Sequence, residues 1–216
     1  MPTSNAPGTT MPARVDFIFA TVQYDSGDWD SAPLVPANVI DSVARYTEIT
    51  VQPTGVIVPL GSRDLLKYPL AYMTGHLPVR FSEVERTTLT EYCKRGGLLF
   101  VDDHNHDIDG EFHRTAVEEI TRAVGPLKDL PNDHALYRAF FKFPDGPPTT
   151  SHELNGWGDN LVHKHLQCVM NGDRIAVLYS SKDYSSEWNY HPDNKRFFSV
   201  DNTRFSVNIV VYALTR

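Results

Sequence analysis

Ser82-Glu83-Val84-Glu85-Arg86-Thr87-Thr88-Leu89-Thr90-Glu91-Tyr92-Cys93-Lys94-Arg95-Gly96-Gly97-Leu98-Leu99-Phe100-Val101-Asp102-Asp103 is the stretch that decides the fold. Ser82 and Glu85 form a Ser-x-x-Glu capping box, each side chain able to satisfy a free amide of a first helical turn. Phe81, Val84, Thr88, Leu89, Tyr92 and Cys93 recur at helical spacing. Gly96-Gly97 ends the helix, because glycine tolerates the left-handed cap. Leu98-Leu99-Phe100-Val101 follows at once, and an apolar run this short, after a helix and two glycines, reads as a buried parallel strand. Cys93 shares a face with Val84, Leu89 and Tyr92, so it is expected inside.

The same rhythm extends in both directions. Upstream, Val15–Val22 reads as a strand, Tyr24–Pro33 as a loop with Gly27, Asp28 and Trp29, and Pro36 opens a helix carrying Val39, Ile40, Val43 and Ala44. Short strands are expected near Ile49–Val51 and Val56–Val58, and Pro69–Thr74 is an apolar run ending in Thr74-Gly75-His76. Downstream, Phe112, Ala116, Val117, Ile120 and Val124 define a helix that stops at Gly125-Pro126. Strand and helix alternating in this way predict a doubly wound α/β domain with a mainly parallel sheet and Leu98–Val101 as a central strand. Phe143–Gly158, rich in Pro, Gly and Thr, reads as a long surface loop, and Arg174–Tyr179 as another buried strand. Phe205–Leu214 is apolar on every side and fits either a strand or a helix.

Composition bounds the function. The 216 residues are 41% hydrophobic, 22% charged and 11% aromatic, which suits one globular domain over 15–216 behind a disordered leader, Met1–Arg14. A chain of this length buries roughly 70% of the surface its unfolded form exposes and needs no disulfides. Cys93 and Cys168 are not a Cys-x-x-Cys pair and read as buried, unpaired fillers. A net charge of -7 argues against a nucleic-acid groove, and no run approaches the roughly 18 to 20 apolar residues of a membrane span. The leader is not a signal peptide; the compartment is periplasmic if a signal has been trimmed and cytoplasmic otherwise.

In open α/β sheets ligands collect beyond the carboxyl ends of the strands. Leu98–Val101 delivers Asp102-Asp103-His104-Asn105-His106-Asp107-Ile108-Asp109 to that edge, and His113 follows. Asp102 and Asp103 are adjacent, so they point to opposite sheet faces; one looks into a cleft and the other caps a neighbouring helix. His104 and His106, two apart, would share one side of an extended turn. Neutral imidazoles with a carboxylate suit zinc or iron, with His104, His106, Asp103 and His113 as the expected ligand set. The alternatives are a carboxylate–histidine pair without a metal, and a polar loop whose histidines are solvated or bond the backbone. Asp133-His134 after Pro131 reads as an oriented pair or a turn, and His163-Lys164-His165 as a solvated pair. Asp183, Glu187 and Trp188 follow the Arg174–Tyr179 strand and could line a shared pocket, Trp188 either as its wall or as an ordinary half-buried aromatic. No nucleophile elbow, Walker-type loop or dinucleotide fingerprint occurs.

Thr74-Gly75-His76, Phe81-Ser82 with Glu85, Tyr92, Gly96-Gly97, Val101-Asp102-Asp103, Leu130–His134, Arg174–Ser180 with Asp183 and Trp188, and Val207–Leu214 together resemble an uncharacterised bacterial domain family of unknown function. Phe17–Ala20 with Tyr24, Gly27, Asp28 and Trp29 fits as well. That family resembles the class I glutamine-amidotransferase-like fold, close to trehalose-utilisation-type proteins. The resemblance implies a flavodoxin-like three-layer sandwich, and for many relatives an exported or membrane-associated setting; it supplies no activity. Amidotransferases carry their nucleophilic cysteine at the turn that here reads Asp102-Asp103-His104-Asn105, so glutaminase chemistry is not expected.

Two functions follow as expectations. The first is a non-catalytic or accessory domain binding a small-molecule or protein ligand through Thr74, Gly75, His76, Asp102, Asp103, Asp183 and Trp188. The second is a metal-dependent hydrolase acting on a sugar or small polar substrate, with a metal-bound water as nucleophile and His76 or His134 as general base.

Overall fold

The computed structural model of the chain describes residues 15–191, 193 and 198–216; the leader expected over 1–14 lies outside the described residues. Seven strands form one sheet in the order β2-β1-β3-β4-β7-β6-β5. They are β1 (Ala20–Gln23), β2 (Val56–Pro59), β3 (Leu70–Gly75), β4 (Leu98–Asp103), β5 (Lys128–Asp129), β6 (Gln167–Asn171) and β7 (Arg174–Ser180). The β1–β2, β1–β3, β3–β4 and β4–β7 pairs are parallel. β6 is antiparallel to both β7 and β5. Leu98–Val101 is central, as its unbroken apolar run requires.

Among the described residues six α-helices accompany the sheet: α1 (Val35–Tyr46), α2 (Glu83–Lys94), α3 (Glu111–Ala123), α4 (Ser151–Asn155), α5 (Tyr184–Trp188) and α6 (Val200–Thr215). Alternation along the strands sorts the core into two halves. Phe19, Tyr72, Leu98 and Phe100 pack against α1, α5 and α6. Ala71, Met73, Leu99 and Val101 pack against α2 and α3. The result is a three-layer α/β sandwich.

The Ser82–Glu85 capping box forms as read, with Glu85 accepting the Ser82 amide at 2.7 Å. Val84 is a correction: it is exposed at 63%, whereas Leu89, Tyr92 and Cys93 of the same helix are buried. At the second helical position its side chain clears the sheet. The strand read over Val15–Val22 starts later, at Ala20, preceded by one bridge from Phe17 to Val51. The loop read over Phe143–Gly158 contains α4, started by a second capping box, Thr150 with Glu153. The tail is helical, and because α6 is covered by α1 as well as by the sheet, most of its middle is buried and shows no clear polar stripe.

Cys93 Sγ points at the Ala176 carbonyl, 3.6 Å away, and burial pushes the thiol up to about 12. Cys93→Ala should cost about 1 to 2 kcal/mol through a small cavity. Native protein should resist thiol reagents until it unfolds; rapid labelling in native buffer would contradict this packing.

Candidate functional site at the carboxyl edge of the sheet

Strand order reverses between β1 and β3, which opens a crevice at their carboxyl ends. Asp28, from the loop after β1, crosses it to His76, just beyond β3. Its Oδ1 accepts the His76 and Leu77 amides at 2.8 and 3.0 Å, and its Oδ2 lies 2.7 Å from His76 Nδ1. Burial alone would raise this carboxyl, but the Leu77 and His76 amides and the His76 ring together hold it below its ordinary value. Gly75 permits the approach: a Cβ there would sit 2.3 Å from the Tyr24 hydroxyl and 2.9 Å from Asp28 Oδ1. His76 Nε2 is the ring nitrogen not held by Asp28, on a side chain 41% exposed.

The His76 ring stacks on His104, with centroids 4.3 Å apart. His104 follows β4; its Nδ1 is 3.3 Å from Ser31 Oγ and its Nε2 3.8 Å from Asp183 Oδ1. Asp183 follows β7 in a left-handed backbone, φ 57°, a conformation Asp tolerates better than most residues. There it caps α5, accepting the Ser186 amide at 2.9 Å, while its Oδ2 lies 3.3 Å from His152 Nδ1 of α4. Two carboxyl groups and three imidazoles thus form one continuous chain from Asp28 to His152. Burial pushes His104 down to about 3, helped by the neighbouring His76 and His152 rings. It pushes His152 down to about 4, and raises Asp183 well above its usual range, with Asp102 adding repulsion. Burial thus favours the neutral form of both partners of the His104–Asp183 pair, and a neutral imidazole keeps one ring nitrogen available as an acceptor or ligand.

Adjacent Asp102 and Asp103 do face opposite sides. Asp102 Oδ2 accepts the amide and hydroxyl of Ser185 at 2.6 Å each, capping α5, while its Oδ1 is buried without a hydrogen-bond partner. Asp103 Oδ1 accepts the Asn105 amide at 3.0 Å; its Oδ2 is likewise buried and unpartnered. Burial raises Asp102 to about 6 and Asp103 to about 7, Asp103 further by repulsion from Asp102.

Of the expected ligand-binding residues, the structure brings His76 and Asp183 together through His104. Thr74 is buried, its hydroxyl donating to the Asp102 carbonyl at 2.8 Å, and serves the wall behind the edge. Trp188 is a correction: it is 4% exposed, stacks on Tyr184 at 5.3 Å and donates Nε1–H to the Asn202 carbonyl. It belongs to the core under α6 because α5 turns its last residue inward.

The expected metal set of His104, His106, Asp103 and His113 does not assemble. His106 adopts φ 50°, which rotates its ring away from His104 toward the Ser181 and Leu161 carbonyls. His113, on α3, meets Tyr179 Oη at 3.1 Å, and Asp103 faces the other side of the sheet from Asp102. His134 is also misplaced as a base. It caps the short 3-10 helix Ala135–Arg138 and shares a cleft with Arg174, at the opposite, amino-terminal end of β7. The cluster that does form joins His106 to Asp159 and His163.

Sequence reading missed Asp28, His152, Asp159 and His163 as site residues. For His152 a signal existed in the Thr-x-x-Glu box that makes α4 a helix. The other three sit in loops, where no period marks direction. Two cavities lie beside this edge: about 690 Å³ bounded by Phe143–Thr149 and His163-Lys164, and about 290 Å³ bounded by His113, His163-Lys164-His165 and Tyr179. No helix among the described residues is long and apolar enough to cross a membrane.

A comparison with curated proteins finds no match to the chain. Residues 18–214 match the profile of DUF4159, described as a domain of unknown function. From Ile18 at the head of β1 to Leu214 near the end of α6, that span takes in the whole sheet and its helices, and the chain belongs to the DUF4159 family.

Proposed function

We propose that the domain is a non-catalytic, small-ligand-binding module whose site is the crevice between Asp28–His76 and Asp183. The observation that carries this reading is the continuous chain Asp28, His76, His104, Asp183, His152 at the strand-order reversal, where open α/β sheets bind ligands. The edge presents imidazole nitrogens and carboxyl oxygens, so it favours a ligand that donates hydrogen bonds. Nothing in the chain offers an activated thiol: Cys93 and Cys168 are both buried. The strand order and the turn at Asp102–Asn105 support reading the fold as flavodoxin-like, on the class I glutamine-amidotransferase-like branch, without that branch's cysteine.

The test is a thermal-shift panel of small amines, amino acids and polyols on wild-type protein and on Asp183→Asn. A compound that raises the wild-type midpoint should lose its effect in the variant. Equal shifts in both proteins would remove the site from this crevice.

A second reading, a hydrolase, is favoured by one feature. Asp28 fixes His76 through Nδ1, the arrangement that orients a general base. Turnover of nitrophenyl esters or glycosides that falls by about 100-fold or more in His76→Ala, as loss of a general base predicts, would favour it over the binding module.

A further inference from the structure

We infer that His106, Asp159, His163 and the Leu161 carbonyl form a binding site for one divalent transition-metal ion of the zinc class. The donor atoms of the three side chains all lie within 4.8 Å of one another. His106 Nε2 is 3.5 Å from Asp159 Oδ1 and 3.0 Å from the Leu161 oxygen; His163 Nε2 is 2.9 Å from Asp159 Oδ2. Metal–ligand bonds of about 2.0 to 2.2 Å give donor–donor edges of about 3.0 to 3.5 Å in octahedral and tetrahedral shells. The two His106 edges fall in that range, and the His163–Asp159 edge, at 2.9 Å, lies just below it.

The wiring of His106 supplies an independent argument. Its Nδ1 faces the Ser181 carbonyl, so that nitrogen carries a proton. In the neutral tautomer the Nε2 lone pair then points at a carbonyl oxygen and a carboxylate. Three electron-rich atoms then face one another around the buried His106 ring, an arrangement that a cation among them would satisfy. A histidine that donates Nδ1–H to a backbone carbonyl and offers Nε2 inward is wired as metal-binding histidines are. Asp159 is held for the same purpose: Leu161 N–H donates to Oδ1 at 2.9 Å and Ile108 N–H to Oδ2 at 3.2 Å. Nitrogen and oxygen donors without sulfur suit zinc, cobalt, nickel or ferrous iron. His163 also borders the 290 Å³ cavity, which gives an ion a route to solvent.

The site shares no donor with the Asp28–His152 chain, so it stands or falls apart from the proposed function. The test uses the full chain, untagged and stripped with a chelator. Cobalt(II) titration should give visible d–d absorption that saturates at one equivalent, and zinc should displace it. His163→Ala and Asp159→Asn should each weaken cobalt binding by about 100-fold, while His104→Ala should bind as wild type does. His163 is the safer variant for folding, because its side chain is 17% exposed. Folded wild-type protein that gives no saturable cobalt spectrum overturns the inference. So does unchanged affinity in His163→Ala, or a zinc-saturated sample in which nitrogen NMR finds both His106 nitrogens protonated.

Discussion

Lys182→Met is expected to cost about 3 to 5 kcal/mol, the range for breaking a buried ion pair by removing one partner. The Lys182 ammonium sits 2.6 Å from Glu153 Oε1 and 2.7 Å from the His163 carbonyl, with both side chains at 1% exposure or less. Burial works against the ammonium and lowers its pKa, and the Glu153 charge opposes that effect. Without the lysine, Glu153 stays buried with only the Thr150 and His163 amides, at 2.8 Å each, as partners. Urea midpoints measure the loss. A second variant, Lys182→Met with Glu153→Leu, should recover most of it, since matched apolar replacement of a buried pair is often neutral. A single variant less than about 1 kcal/mol weaker than wild type would mean that the loop tolerates the bare carboxylate.

Asp103→Asn is expected to change how stability depends on pH. In the wild type two opposite effects overlap. Asp103 is raised to about 7 by burial, so between its unfolded value near 3.8 and about 7 the folded state holds a proton that the unfolded chain has released. Its contribution is full below that window and is lost as pH rises through it. His104 and His152 are depressed to about 3 and about 4 by burial, so between those values and 6.5 the unfolded chain binds more protons. Their contribution grows with pH over that window. The two slopes oppose each other between about pH 4 and 6.5, so the wild type should change less there than either effect alone would make it. Asp103→Asn removes one side, so its stability should climb relative to wild type by about 2 to 4 kcal/mol from pH 4 to 7.5. Urea titrations at four pH values decide it; parallel curves for the two proteins would show that Asp103 ionises normally.

The fold was legible where local rules coincide. The capping box, the helical period, the paired glycines and the following apolar run all agree around Ser82–Val101, and the structure keeps each of them. The edge was legible in part, because topology alone carries Thr74–His76, Asp102–His104 and Ser180–Asp183 to one side of a parallel sheet. Which neighbours meet there was not. Asp28 reaches His76 across 48 positions, and His106 meets His163 through a loop with no period to read. Trp188 misled for a related reason. A helix of five residues is too short to show which face is inward. His106 shows the limit of spacing arguments, since one left-handed residue undoes the alternation that would have paired it with His104.

The packing of α1 against α6 has a consequence for how the chain is made. Val39, Ile40 and Val43, near the beginning, share one core with Phe205, Val207 and Ile209, near the end. During synthesis on the ribosome, β1, β3 and β4 can pair long before α6 emerges. Until then Phe19, Tyr72 and Phe100 lie under an incomplete roof. The nascent chain therefore carries a bare apolar sheet face until α6 emerges, the kind of surface that chaperones hold. Emergence of α6, rather than pairing of the strands, is the moment at which this half of the core can close.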